Sequence, residues 1–528
     1  MLSEKWHRHI FLFGLITLGA GTLFGTVPTN IPLIILGTNW LLEKNFQAKW
    51  QILKNNKIFL VSISLLILLL LGMLYTENIN RGLEDIKTKL PLFVLPMILF
   101  STKPINEKEF KLLFNFIFLS VLASSVCSAF VFYGLTKKII VDVRQASLFM
   151  SHIRFSLFIA FSIIGMVYFS VKEKHIWLRI IYFIVICWLL FIMYKLEMAT
   201  GILILGLVGF VLIFRFIYSS LPKYISLSVL FILFVIAMFV VNFAINSIGL
   251  YDENPNSQAN RLLEKSINGR PYLQDTVYGV AENGNLIAIN INDFELIQEW
   301  PKRSTIPLDG KDKKGNSLRY TLLRYMASKG LTKDSLGLTK LSNEDVLNVE
   351  NGISNYLYSN DGGLKSRWYE IIWEYTKYKR GENPSGHTLT MRLEFWKTGL
   401  YLLKNNILFG VGTGDVQDSY NKAYDEMNSK LTKEWRLRCH NQYLAFSVAF
   451  GLFGLAVFLF YLIYPVILLY KKLHYLYWPF LGIALLSFIT EDTLETLTGV
   501  CFFIFYQAVF LWLASYKNYD LKNQTSGN

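Results

Sequence analysis

Tyr443–Tyr470 reads YLAFSVAFGLFGLAVFLFYLIYPVILLY and holds no charged side chain. A helix that is apolar all round has no face to offer water, so the solvent this stretch suits is hydrocarbon. The whole chain agrees: of 528 residues 53% are hydrophobic and 17% charged, with a mean hydropathy of +0.36. Apolar runs of about 17 to 25 residues, enough to cross about 30 Å of lipid, recur from Ile10 to Tyr218 and at Ile225–Ile245, Tyr475–Thr490 and Leu497–Tyr516. Only helices and closed barrels satisfy their backbone in lipid. The expected fold is therefore an all-α integral membrane protein of about twelve transmembrane helices. Pro28 and Pro32 leave open whether Ile10–Gly25 and Ile31–Leu42 are two helices or one with a break, and Leu90–Phe100 is short and carries Pro91 and Pro96.

Lysine and arginine placement orients the chain. Lys5 and Arg8 precede the first apolar run, which lacks a convincing cleavage site and reads as an uncleaved first helix. With the amino terminus cytoplasmic, the inside connections hold Lys44, Lys49, Lys54 and Lys57, then Lys103, Lys108 and Lys111, and later Lys172, Lys174 and Arg179, Arg215 and Lys223, Lys471 and Lys472, and Lys517 and Lys522. The outside turns are poorer in cations, Lys137, Lys138 and Arg144 being the main exceptions. The net charge of +14 follows largely from this asymmetry, so membrane lipid is implied as a partner and nucleic acid is not. The four cysteines offer no disulfide framework, and only Cys439 lies in a polar segment.

The same count puts Gly249–Cys439 outside, as a large extracytoplasmic loop domain between the ninth and tenth spans. The expected divisions are 1–248 for the first transmembrane helices, 249–440 for the loop domain with its reaction-centre motifs, 441–516 for the last helices and 517–528 for a cytoplasmic tail. The centre of the loop reads as α/β-like or irregular. Leu286–Ile289 is strand-like, while Leu318–Ser328, Asn343–Tyr356 and Ser366–Tyr378 have helical spacing. Turn clusters at Asn283-Gly284-Asn285, Leu308-Asp309-Gly310 and Asn360-Asp361-Gly362-Gly363 separate them. Ordered loops of this length usually carry function.

Next to the last spans lies the chemistry. Arg392 and Trp396 lead into the turn Gly410-Val411-Gly412-Thr413-Gly414-Asp415, and His440-Asn441-Gln442-Tyr443-Leu444 stands at the mouth of the apolar run. Each has a plain structural reading. Asn441 suits a helix cap, the glycines suit a turn and lack the Gly-Lys-Ser/Thr ending of a nucleotide loop, and Arg392 alone is a surface cation. Together they suit glycosyl transfer from a lipid-linked diphosphate. Backbone amides at Gly410, Gly412 and Gly414 can approach phosphate, Arg392 matches two phosphate oxygens with its fork, and a neutral His440 can accept the proton of a sugar hydroxyl.

In order and spacing, Arg392, Trp396, Gly410–Asp415, His440-Asn441 with Tyr443-Leu444, and Gly451 and Gly454 resemble the signature of the O-antigen ligase and O-antigen polymerase family. The resemblance implies a membrane enzyme that moves glycans from undecaprenyl diphosphate carriers, with inversion at the anomeric centre, His440 as the catalytic residue, and Arg392, the glycine loop and Asn441 at the substrate. The chain departs from the family where a Ser-Arg pair usually follows the position of Lys195: here the sequence is Glu197-Met198-Ala199-Thr200-Gly201.

Ser151-His152-Ile153-Arg154 opens one span, and Lys195 and Glu197 lie between two others, both sites at the expected outer face. Ionisable groups at such depths mark function by default, although Lys195 and Glu197 also read as a mutual pair or as snorkelling side chains. Arg154 is the stronger substrate-binding candidate and could stand in for the missing arginine. Glu491 and Asp492 read either as a solvated acidic turn or as groups that bind a cation or orient His440. No Asp-x-Asp or His-x-x-x-His spacing offers a metal site, and a diphosphate leaving group that arginines and amides stabilise needs neither metal nor other cofactor.

The expected function is a glycan ligase at the periplasmic face of a bacterial inner membrane, joining an undecaprenyl-diphosphate-linked O-antigen to lipid A-core. The alternatives are a polymerase joining repeat units, a protein O-oligosaccharyltransferase and, from another class, a lipid-linked glycan flippase, which would place charges nearer the bilayer midplane.

Overall fold

A computed structural model of the chain describes residues 3–138, 140, 143–220, scattered positions between 222 and 246, 261–277, 280–358, 364–379 and 381–525. The expected span Ile225–Ile245, in large part, and the turn Asn360–Gly363 lie outside the described residues. Two compact units emerge: Met1–Ile213 together with Met391–Asn528, and Phe214–Thr390. The motif segment from Met391 onward thus packs with the helices of the first unit.

The first unit opens with α1 (Glu4–Gly21), α2 (Thr26–Leu42), α3 (Phe46–Asn55), α4 (Lys57–Met73), α5 (Ile79–Lys89), α6 (Pro91–Phe100), α7 (Glu107–Phe132), α8 (His152–Lys172), α9 (Ile176–Lys195) and α10 (Ala199–Ser220). The first apolar run is two helices, parted at Gly25, whose φ of 102° is glycine's to adopt. Pro28 falls in the first turn of α2, where no intrahelical donor is lost. Among the described residues six helices are long and apolar enough to cross a membrane, or seven if the pair α3 and α4, bent by 88°, forms one span. The other apolar helices are shorter, among them α2 with 17 residues and α6 with 10.

The second unit is small and mixed. A two-residue antiparallel hairpin pairs Ala281–Glu282 (β1) with Asn285–Leu286 (β2) across Asn283-Gly284, both at positive φ, so the strand expected to run to Ile289 is shorter. Its helices are α11 (Asp293–Glu299), α12 (Leu318–Ser328), α13 (Ser335–Thr339), α14 (Asn343–Glu350) and α15 (Leu364–Lys379). Leu322, Tyr325 and Met326 of α12 pack with the fully buried Trp300 to make its core. Inside, Arg324 pairs with the buried Glu282 at 2.6 Å.

The chain then continues through α16 (Thr388–Asn405), α17 (Val416–Glu426), α18 (Gln442–Leu469), α19 (Tyr477–Thr490) and α20 (Leu497–Thr525). The decisive local feature is a break in α18 at Gly451, where φ is 66° and ψ −163°. The carbonyls freed by the break, those of Val448 and Ala449, accept from the amides of Val411 and Gly412 at 3.0 and 2.9 Å. Beyond the break the amide of Leu452 donates to the Ile407 carbonyl at 2.8 Å. Irregular backbone is tolerated at a membrane when protein resatisfies it, and here the glycine loop does so. The continuous helix expected over Tyr443–Tyr470 is therefore two segments with the 407–412 loop seated between them.

Candidate active site

His440 occupies the turn that feeds α18. Its φ of 44° lies in the left-handed region that costs a non-glycine residue on the order of 1 kcal/mol. Asn441 caps the helix, its side-chain oxygen accepting from the Leu444 amide at 3.0 Å and its Nδ2 donating to the Ile489 carbonyl at 3.1 Å. The structural reading of Asn441 thus accounts for both ends of its side chain. The imidazole lies 5.6 Å from the Phe395 ring, tilted by 36°.

Two buried carboxylates of the turn after α19 face that imidazole. Asp492 Oδ1 is 3.3 Å and Glu491 Oε2 3.8 Å from His440 Nδ1, and no hydrogen bond to this nitrogen is well aligned. The contact is electrostatic. Burial works against a charged His440, but Asp492 and Glu491 outweigh it and raise the imidazole to about 9. Asp492 is buried too, a cost that favours its protonated form, yet His440 and Arg438 lower its carboxyl below the ordinary value. The two carboxylates thus favour the imidazolium form of His440, whereas the sequence reading took a neutral ring.

The acidic turn is therefore built into the site. Arg392, from α16, donates through Nη2 to Glu491 at 2.9 Å and through Nε to the Thr490 carbonyl at 3.2 Å. Its Nη1 has no partner among the described residues, which leaves one edge of the fork for a ligand. Arg154, in the first turn of α8, borders a small cavity with Thr493, Met150 and Phe502; both Arg154 Nε and Thr493 Oγ1 are buried there without a hydrogen-bond partner. Arg154 thus lines the same cavity as the residue next to Asp492. Lys195 closes α9 half-buried, and no contact with the His440 cluster is described for it.

Sequence-distant residues also form a donor set that no local spacing reveals: one ligand atom each from His440, Glu491 and Asp492 lies within 4.8 Å of the others. Asp415 is not part of it. Its carboxylate accepts from the amides of Glu77 and Asn78, both at 2.8 Å.

The glycine loop carries a different load from the phosphate cradle read in the sequence. Its amides at Gly410, Val411, Gly412 and Gly414 donate to the Asn406, Val448 and Ala449 carbonyls and to Thr76 Oγ1. A Cβ at Gly410 would stand 2.4 Å from the backbone of Ala449 and Phe450, and one at Gly414 would stand 2.2 Å from the Asn78 carbonyl oxygen. Close approach of backbone to backbone requires glycine here, and the donors are spent on the fold. Cys439 is likewise occupied: burial, reinforced by Asp492, raises its thiol to about 12, and its Sγ donates to the Asn441 carbonyl at 3.2 Å.

Behind the turn lies a group that sequence reading did not bring together, Lys89, Asp85, Arg438 and Glu495. Arg438 and Gln442 flank His440 symmetrically in the sequence, the one signal that the turn is held from both sides.

Against known families, residues 363–459 match the model described as O-antigen ligase. Over that segment the chain is similar to the O-antigen ligases. The matched segment contains Arg392, the glycine loop, His440 and the break at Gly451, whereas Glu491 and Asp492 lie beyond it. No curated protein matches the chain.

Proposed function

We propose that this protein is an O-antigen ligase that transfers a polysaccharide from undecaprenyl diphosphate to lipid A-core at the periplasmic face of a bacterial inner membrane. The observation that carries the reading is the convergence of Arg392 and His440, both inside the segment similar to the O-antigen ligases, on the carboxylates of Glu491 and Asp492. The shorter apolar helices α1, α2, α6 and α19, with the run at Ile225–Ile245, would complete about twelve crossings and leave the 249–440 region outside.

In the proposed reaction the acceptor hydroxyl attacks the anomeric carbon as the bond to the diphosphate breaks, with inversion. The electron pair leaves on the diphosphate, whose charge Arg392 Nη1 and Arg154 would meet. The hydroxyl proton goes to His440 in its deprotonated form. The reaction is proposed to run without a metal, because Glu491 already serves Arg392 and Asp492 serves His440. In a second reading, favoured by the raised imidazole, His440 keeps its proton and supports the leaving diphosphate. The glycine loop contributes by fixing the backbone around α18.

The glycan profile of a deletion strain tests the assignment. Lipid A-core stripped of all polymer, with lipid-linked polymer accumulating, is the expected result. Core bearing a single repeat unit would make the protein a polymerase, and undiminished polymer on the core with loss of glycosylated protein would make it a protein O-oligosaccharyltransferase.

A further inference from the structure

Four charged side chains for which the transfer chemistry has no direct use cluster behind the His440 turn, Lys89 buried and Asp85, Glu495 and Arg438 partly so. Lys89, the last residue of α5, is 4% exposed at its side chain, with Nζ 2.6 Å from Asp85 and 2.8 Å from Glu495. Arg438 Nη1 lies 3.0 Å from the same Glu495 carboxylate. A charge as far out of water as that of Lys89 is costly unless paired, so its arrangement with Glu495 calls for a reason.

The hydrogen bonds supply one. Glu495 Oε2 accepts from Arg438, two residues before His440, while Oε1 accepts from Gln442, two residues after it, at 3.2 Å. Gln442 closes the ring, its side-chain oxygen accepting from the Leu494 amide at 2.6 Å. One carboxylate thereby ties both flanks of the His440 turn to the short turn that carries Asp492, and Lys89 anchors it to α5. Between those flanks, among the described residues, the imidazole is met by the Phe395 ring and the unaligned carboxylate contacts.

We propose that Lys89 and Glu495 are positioning residues that set the placement of His440 against Asp492. The proposal rests on the reading of His440 as the reaction centre. Neither residue touches substrate; both act through the turn.

The test is a kinetic cycle on the purified full-length protein with lipid-linked polymer as donor and lipid A-core as acceptor. The double variant Lys89→Met/Glu495→Gln removes one charge of each sign and leaves Arg438 and Asp85 to balance. It should lower kcat about tenfold or more with donor KM changed less than about twofold, because misplacing a catalytic group costs rate rather than ground-state binding. Placed in a His440→Ala background, the same pair should cause no further loss, since residues acting through one group are not additive. Glu495→Asp, which shortens the clamp and keeps its charge, should show the same pattern with a smaller loss. Equal fold-losses in both backgrounds, or an unchanged kcat in the folded variants, would overturn the positioning role. A His440→Ala enzyme as active as the parent would instead overturn the reading on which the role rests.

Discussion

Asp492 stands 3.3 Å from the Nδ1 of His440, and it arrives there from a turn fifty-odd residues further along the chain, after the two helices α18 and α19. The pair ties the mouth of α18 to the end of α19. Because the folded imidazole is raised to about 9, above the ordinary value of about 6.5, its contribution to stability has a defined sign. That contribution is fully present below about pH 6.5 and is lost as pH rises through about 9. Melting of the detergent-solubilised protein and of a His440→Gln variant should therefore differ most at pH 6 and converge by about pH 9.5. A gap that widens with pH would contradict the imidazolium–carboxylate pairing.

The same titration governs activity. If the deprotonated ring takes the acceptor proton, kcat should rise about tenfold per pH unit from pH 7 and level off near pH 9. A rate that is flat through pH 7 and falls near pH 9 would assign the imidazolium form to the reaction. Asp492→Asn, which removes the main carboxylate partner, should move the inflection down towards pH 7 in either case.

Arg392 has two duties, and they separate experimentally. Arg392→Ala leaves the buried Glu491 without its partner, which should destabilise the turn by up to about 3 kcal/mol and weaken donor binding. Adding Glu491→Gln should restore much of the thermal stability but not the affinity for lipid-linked donor. Arg392→Lys should recover only part of that affinity, as an ammonium lacks the two-pronged geometry. Recovery of donor affinity in the double variant would show that Arg392 serves the fold alone.

The membrane character, the longer helices of the second unit and the motif residues were legible in the sequence, because each is written in a local pattern: apolar length, a 3.6-residue period, or spacing within one segment. The short helices Asp293–Glu299 and Ser335–Thr339 offer too few turns for a period to show, and the helix read over Asn343–Tyr356 ends at Glu350. Leu318–Ser328 was readable to its ends, since Ser317 caps it and its apolar face is regular. The break at Gly451 was not, because a single glycine in an apolar run is compatible with a continuous helix until the 407–412 loop is seen to insert. Glu491 and Asp492 were visible as an acidic turn, but only folding shows which imidazole they face. Lys89 showed only its local i,i+4 spacing to Asp85, as its other partner Glu495 is 406 residues away.

The glycine loop yields a stability prediction distinct from catalysis. Gly414→Ala places a Cβ 2.2 Å from the Asn78 carbonyl oxygen, and such overpacking should cost about 1 to 3 kcal/mol. Reduced folded yield and a lowered melting temperature are expected, with donor affinity of the folded fraction preserved. A stable variant that loses donor binding would return the loop to a phosphate-binding role.

Topology can be read at Lys302, whose side chain is 66% exposed in the second unit. Lys302→Cys, in a background lacking the native cysteines, should react with an impermeant thiol reagent in intact spheroplasts. Labelling only after lysis would place the unit in the cytoplasm and remove the basis for a periplasmic reaction.

The central claim, that glycan transfer runs through His440, is tested most directly by single-turnover transfer with saturating lipid-linked donor. His440→Ala protein that inserts normally and binds donor with unchanged affinity should transfer about 10²- to 10⁴-fold more slowly than the parent. Transfer at the parent's rate by that variant would contradict the account and leave His440 as a residue that shapes the entrance to α18.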